Sequence, residues 1–562
     1  MKTTKNIARL AVTAGLTAAL SFGGVMAPVT MAFAEGANGS VTITKVEGND
    51  TEFKGYQIFE ADVATVEDKT VVSNITWAND DVKAAVESVI RGNEPSYAGE
   101  TAQDAADWIT RKVTGTNQKT RVPSDSVAYK IADAVDNLTE TVTTTNRQAS
   151  NLAHGYWLFV TDTSTIGVGE AGSSPIFAAV GNNPLIIEEK TSIPTVEKKI
   201  VSDADGEEHD AADSQIGQDV TYNLYGTVAE NFDKYDTYFY QFSDQISKGL
   251  TLQAPAKVYL YANKKDVKGD PDRTKCTNIT DEFEVSTAEA AEDGSKTTTW
   301  TCENLKNVAG VTEDSCIVVS YTARINEHAI VAGAGSNDNA VILKYSNNPM
   351  NKDSKGQTPP DKVKDYTYGL RINKVDLGTE KALEGARFTI TTKGDEKNVD
   401  AKYVQADGTL SDTEVALSTD ANGAIKLTGL DAGTYTVTEV SAPSGYAKVD
   451  PFTFEIKPAM TADGPDAGLT NLAGELTTSQ NDKVIAGLTD GNSGDNRLTA
   501  QPDSEKDSDG TFNITVGDTK QVGLPLTGLN GVTFTWIAGG AVLCIGVAHL
   551  IRSRKRDDGS EE

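Results

Sequence analysis

Histidine and cysteine are scarce in this sequence, each occurring four times in 562 residues. That leaves little material for a His/Cys metal centre or a histidine-dependent catalytic triad. Basic residues are in deficit too, with 51 Lys and Arg against 81 Asp and Glu and a net charge of −30. So acidic a chain lacks the basic face that phosphate binding requires, which excludes nucleic acid as a partner. No glycine-rich phosphate loop in the right context and no metalloprotease motif occurs. What is present is 38 % hydrophobic and 23 % charged residues, enough for packed cores and against general disorder. The length predicts three or four domains, and abundant glycine with threonine-rich alternating runs points to β-structure.

The long apolar stretches stand at the two ends. Lys2, Lys5 and Arg9 precede the stretch Leu10 to Val29, which closes on Ala32-Phe33-Ala34. This is the pattern of a secretory signal peptide cleaved after Ala34. At the other end Leu524-Pro525-Leu526-Thr527-Gly528 is followed by an apolar run, Val532 to Ile551, and then by Arg552, Arg554, Lys555 and Arg556. The run is long enough to span a bilayer, and the basic tail holds its end in the cytoplasm. This combination resembles the cell-wall sorting signal of Gram-positive surface proteins. The resemblance implies cleavage by a sortase between Thr527 and Gly528 and attachment to peptidoglycan. Removal of the leader takes three positive charges and leaves a still more acidic exterior chain. Cys544 leaves with the tail, so Cys276, Cys302 and Cys316 face an environment where a disulfide can form. The polar turn Ala290 to Ser295 favours Cys276–Cys302, with Cys316 as the alternative partner.

Between the ends the chain divides into an N-terminal segment (35–190), a middle segment (191–360) and a C-terminal segment (361–522), followed by the sorting region (524–562). The first mixes alternating strands with helical periodicity at Asp80 to Arg91 and Thr101 to Val113. The second is almost wholly strand-like, and Asn351 to Lys364 reads as a linker. The third carries a polar insertion, Ala462 to Gly510, expected to be mobile. The predicted class is all-β: tandem immunoglobulin-like sandwiches in an elongated rod, with some helix in the first.

Alternation places ionisable groups among apolar neighbours. Residues two apart share a strand face. Lys374 follows Leu370 and Ile372, Glu439 follows Tyr435 and Val437, and Asp518 follows Phe512, Ile514 and Val516. Burial lowers a lysine pKa and raises a carboxyl pKa. A neutral amine is a nucleophile, and a protonated glutamate polarises a carbonyl and shuttles protons. Held against Asp518, the Lys374 amine forms an amide with loss of water; fixed pairs reach effective molarities on the order of 10⁵ M or more. A buried salt bridge without a bond is the alternative. A second trio stands in the middle segment: Lys198 between Val196 and Ile200, Asp244 after Tyr238, Tyr240 and Phe242, and Asn339 before Val341, Leu343 and Tyr345.

The run Tyr435 to Tyr446 resembles the E-box of sortase-assembled pilins. Lys374-Val-Asp through Leu383-Glu-Gly-Ala-Arg-Phe388 resembles the opening of their Cna B-type domains. The resemblance implies a Lys374–Asp518 isopeptide bond with Glu439 as catalytic acid; asparagine is the commoner acceptor, and Asn513 lies nearby with the opposite parity. The middle trio looks like a Cna A-like domain, implying a Lys198–Asn339 bond with Asp244 as catalyst and loss of ammonia, Lys199 being the fallback. The first segment has no glutamate at the matching place, and no isopeptide bond is expected there.

Such pilins are joined head to tail through a lysine near the first domain junction. By position that lysine is Lys190, in Pro184 to Lys190, where Glu188-Glu189 replaces the usual Tyr-Pro; Lys199 is the alternative. The resemblance implies a major, shaft-forming pilin, with a pilin-specific sortase, a housekeeping sortase, identical subunits, a tip or minor pilin and a host surface ligand as partners. It implies no cofactor, no metal and no turnover enzyme. The rival readings are a monomeric wall-anchored adhesin of the same domain type and a secreted hydrolase. The acidic loop Asp203 to Asp210 reads as a solvated hairpin tip rather than a calcium site.

Overall fold

The computed structural model describes residues 38–520, apart from 67–68, 114–125, 190, 269, 271, 333–334, 394–399, 478–485, 489–496 and 501–509. The signal sequence, Lys190 and the sorting region from Leu524 to Gly528 therefore lie outside the described residues, as does the apolar run Val532 to Ile551. The described chain is mostly strand, arranged in several sheets. Three α-helices occur among the described residues, all in the first domain.

That domain packs a three-stranded sheet against a five-stranded one. Gly39–Thr44 runs antiparallel to Gln148–Leu152 and parallel to Leu185–Glu188. Val41, Ile43, Phe53, Trp157 and Phe159 fill the space between the sheets. The strand Gly155–Thr161 is apolar almost throughout because both its faces are covered. Its other side, through Leu158 and Val160, meets the helices α1 (Asp80–Asn93), α2 (Ala102–Val113) and α3 (Val127–Asp136). The helical periodicity located the first two; α3 went unread. α1 begins where the Asn79 side chain accepts a hydrogen bond from the Val82 amide at 2.8 Å, and its stripe Val82, Val86 and Ile90 is buried.

The middle domain is a sandwich of two seven-stranded sheets. One carries Val196–Val201, Asp219–Thr227 and Cys316–Ile325; the other carries Asn337–Ser346, Tyr240–Ile246 and Lys296–Cys302. The expected linker Asn351 to Lys364 is instead built into the second sheet. Lys355–Gln357 and Asp361–Tyr366 both pair with Asn337–Ser346, so the middle sandwich extends past residue 360 to Tyr366. Charged side chains made this stretch look like a spacer, but they alternate with the buried Val363 and Asp365.

The third domain also has two sheets. Tyr368–Asp376 lies between Ala424–Leu430 and, in parallel, Thr511–Asp518. Arg387–Thr392, Gly433–Ser441, Phe452–Thr461 and Gly468–Thr477 lie in the facing sheet. Within the expected insertion after Ala462, Gly468–Thr477 is a full strand whose Leu472 and Leu476 enter the core. The second and third domains meet closely at Gly429, where φ is +77° and a side-chain Cβ would fall 2.1 Å from Ile216. Only glycine permits both that conformation and that approach.

The cysteines depart from expectation. Cys276, Cys302 and Cys316 are all free thiols, and the Cys276–Cys302 bridge is not formed. The turn near Ala290 does close a hairpin, Glu284–Thr287 with Lys296–Cys302. However, Cys276 precedes a strand of the opposite sheet. Cys302 points into the main core, whereas Cys276 packs on the far side of the facing sheet beside Tyr261, Cys316 and Val318.

Candidate functional site: two buried lysine–acid–carbonyl clusters

In the third domain the parallel pairing of Tyr368–Asp376 with Thr511–Asp518 sets Lys374 opposite Val516, one step along the same face from Asp518. Gly433–Ser441 brings Glu439 across from the facing sheet. The three side chains meet in the core, with Lys374 0 %, Asp518 1 % and Glu439 3 % exposed. Lys374 Nζ donates to Asp518 Oδ1 in a close contact and lies 3.2 Å from Glu439 Oε2. The Phe388 ring covers the amine, with Nζ 5.4 Å from its centroid. Glu439 Oε2 also accepts from the Val449 amide at 2.8 Å, which fixes the carboxyl. Burial pushes the Asp518 carboxyl up to about 6, against the opposing pull of Lys374. Its Oδ2 has no hydrogen-bond partner among the described residues. Such an arrangement sets an amine against a carboxyl group with a second carboxyl alongside, in a buried site. Asn513, the alternative acceptor, alternates to the other face and donates to the Thr511 carbonyl instead.

The amine of the middle-domain cluster has three partners instead of two. Lys198 Nζ donates to Asp244 Oδ1, to Asn339 Oδ1 at 2.6 Å and to the Tyr321 hydroxyl at 3.0 Å. Lys198 and Asn339 are 0 % exposed and Asp244 1 %. Burial depresses the lysine to about 8 despite the adjoining Asp244, which makes the neutral amine easier to reach than in an exposed lysine. The Tyr222 and Tyr321 rings flank the amine at 5.6 and 5.4 Å. Lys199 lies on the other strand face and pairs with Asp210 at 2.7 Å, outside the cluster.

Two groups of polar residues escaped the sequence reading. Arg147, in the left-handed region with φ +61°, is buried against Glu189, its Nη2 donating to Oε2 at 2.5 Å. Glu189, noted in the sequence only as standing where Tyr-Pro is usual, is 4 % exposed, with Asn49 as a further donor. No periodic pattern could reveal this pair, since Arg147 sits in a turn and its partner lies 42 residues away. The other group stands where the second and third domains meet. Asp213 accepts from Tyr368 at 3.0 Å, and Asp365 accepts from Tyr222 at 3.1 Å. Burial drives Asp213 up to about 6 and Asp365 up to about 8, and Asp203 adds to both. Because these folded-state values exceed the unfolded ones, the stabilising contribution is complete below the ordinary carboxylate range and is lost as pH rises through about 6 to 8. Asp365→Asn is therefore expected to raise the melting temperature at about pH 9 by on the order of a few degrees, and by clearly less at about pH 5. Melts of both chains at the two pH values check this; an equal effect at both would refute it.

At the acidic hairpin, His209 bridges Asp205 and Asp463 at 2.9 and 3.2 Å, tying the second domain to the third.

Together, these features define a protein of tandem β-domains, two of which close over a buried amine facing a side-chain carbonyl and an acid. Comparison with known proteins adds the family context. Residues 369–464 match the SpaA family of prealbumin-like fold domains. The chain is similar to a trypsin-resistant surface T6 protein of Streptococcus pyogenes, 27 % identical over 285 residues. That match takes in 48 % of this chain and 46 % of the relative, so the chain spans about half the length of the curated relative it matches. Among solved structures it resembles the T6 backbone pilin of Streptococcus pyogenes (18 % identity, TM-score 0.49, 87 % of this chain and 100 % of that one). It also resembles the major pilin SpaD of Corynebacterium diphtheriae (16 % identity, TM-score 0.45, 86 % and 98 %).

Proposed function

We propose that this chain is the shaft-forming subunit of a sortase-assembled pilus on a Gram-positive cell. The observation that carries the reading is the pair of buried lysine–acid–carbonyl clusters, one in each of two successive domains. In this reading Lys374 joins Asp518 with loss of water, Glu439 acting as the acid. Lys198 joins Asn339 with loss of ammonia, Asp244 acting as the proton carrier. Each event happens once, so the protein is a structural polymer rather than a turnover enzyme, and it needs no cofactor. The signal sequence ends at Ala34 and the domains divide near residues 190 and 366. A pilin-specific sortase cuts after Thr527 and transfers its carbonyl to Lys190 of the next subunit, and a housekeeping sortase attaches the finished polymer to peptidoglycan. A tip or minor pilin and a host surface ligand complete the partners.

The test is extraction of cell walls in hot detergent followed by immunoblotting. A ladder of covalent multimers is expected, collapsing to a single band in cells carrying Lys190→Ala. A single wall-linked band from the unaltered chain would favour the solitary adhesin. A ladder that persists in the variant would move the acceptor role to another lysine, Lys199 first.

A further inference from the structure

Tyr321 lies in the strand Cys316–Ile325 of the middle domain, across from Tyr222 in the neighbouring strand. Its ring is stacked between Tyr222, 5.5 Å away, and Trp300, 5.7 Å away, and the residue is 3 % exposed. Its hydroxyl is held at the centre of the Lys198 cluster. It accepts from Asn339 Nδ2 at 2.7 Å and from Lys198 Nζ at 3.0 Å, and it donates to Asp244 Oδ2 at 2.5 Å. Two acceptances and one donation use the full capacity of a phenol oxygen. Both Asp244 oxygens are engaged, Oδ1 by Lys198 and Oδ2 by Tyr321, and Asp244 makes no hydrogen bond to Asn339 among the described residues.

Formation of the Lys198–Asn339 amide requires the leaving nitrogen to gain a proton, because an amide anion is too basic to depart. Asp244 is placed to take the proton that Lys198 gives up, but not to deliver it to Asn339 Nδ2. We propose that Tyr321 is the catalytic residue that carries the proton from Asp244 to the departing nitrogen. The inference rests on the isopeptide reading given above. As Nζ of the neutral Lys198 amine bonds to Asn339 Cγ, one of its two protons passes to Asp244. The proton arrives on Oδ1, the oxygen that faces Lys198, and rotation of the Asp244 carboxyl then presents it to the Tyr321 oxygen. The Tyr321 hydroxyl then gives its own proton to Nδ2, which has become a tetrahedral amine with a lone pair. The Cγ–Nδ2 bond breaks and ammonia leaves. One C–N bond forms, one breaks, and Asp244 and Tyr321 return to their starting states. Burial and the adjacent Asp244 hold the hydroxyl well above its ordinary pKa, so the phenol keeps its proton between transfers.

The full chain, made by cell-free synthesis and sampled over time by intact and peptide mass spectrometry, tests the relay. Tyr321→Phe keeps the stacked ring and removes only the oxygen. It is expected to slow ammonia loss by about a hundredfold, the scale of a positioned proton-transfer group. Loss of water at Lys374–Asp518 in the same molecules should proceed at the unaltered rate, and hydrogen exchange should show the middle domain protected as in the unaltered chain, so that slow ammonia loss does not come from failure to fold. A chain with 3-fluorotyrosine at this position has nearly the same shape and a more acidic phenol. Its rate of ammonia loss should differ from that of the unaltered chain, an effect a packing role would not produce. Ammonia loss at the unaltered rate in Tyr321→Phe, or an unchanged rate with fluorotyrosine, would overturn the relay alone. An unaltered chain that never loses ammonia would overturn the bond itself, and the relay with it.

Discussion

Replacing Glu439 with alanine is expected to leave a chain that retains the water the unaltered protein loses at Lys374–Asp518 and is less stable to unfolding by about 5 kcal/mol. The mass follows from chemistry. Without the acid, the Asp518 carboxyl has no neighbour to protonate its departing oxygen, and the Lys374 amine remains a buried salt bridge. The free energy follows from chain entropy. The bond would close a loop between residues 144 apart. Cross-linking so long a loop restricts the unfolded chain by about 5 kcal/mol on the loop-closure model. For a domain of this size that corresponds to a melting temperature lower by roughly 10–20 °C. Peptide mass spectrometry and calorimetry of the two chains measure both quantities. A variant that still loses water would show that Glu439 is not the acid. A variant that keeps the water and melts with the unaltered chain would show that the bond adds no stability.

Glu189→Ala is expected to have the second largest effect, through desolvation rather than a covalent bond. Arg147 is 5 % exposed and gives hydrogen bonds to the Ile43, Asn49 and Thr51 carbonyls as well as to Glu189. Removing the carboxylate leaves a buried guanidinium without a counter-charge, which costs about 3–5 kcal/mol. The loss should be confined to the first domain, where Arg147 ties Gly39–Thr44 to the end of the strand Leu185–Glu188. Hydrogen exchange resolved by domain is the appropriate measurement. Exchange in the first domain should rise while the second and third keep their protection. Replacing both residues with apolar ones of similar size should restore much of the stability, since no charge is then stranded. A loss below about 1 kcal/mol in the single variant would mean that water reaches Arg147 and the pair is a surface bridge in effect.

How much was legible in the sequence depended on the range of the interaction. The two lysine clusters were readable because each member sits in a strand, where alternation sorts side chains by face. Lys198, Lys374, Glu439 and Asp518 each continue an apolar row. The same rule put Lys199 and Asn513 on the other faces. Tyr321 obeyed the alternation as well, but a tyrosine on an apolar face announces packing, and only its three hydrogen bonds mark it as chemistry. The stretch after Asn351 was misread because charge content was weighed above parity. Arg147 and Glu189 were missed because a turn residue in the left-handed region has no face for periodicity to assign.

By itself, then, the sequence determined which side chains are turned inward: period-two alternation is a local property of the extended backbone and needs no partner strand to define it. Which inward side chains meet was decided by the tertiary structure alone. Strand order and register bring Lys198 to Asn339 across 141 residues and Arg147 to Glu189 across 42. Those pairings arise from the closing of two sheets over a common core, a cooperative event in which no single segment encodes its distant neighbour.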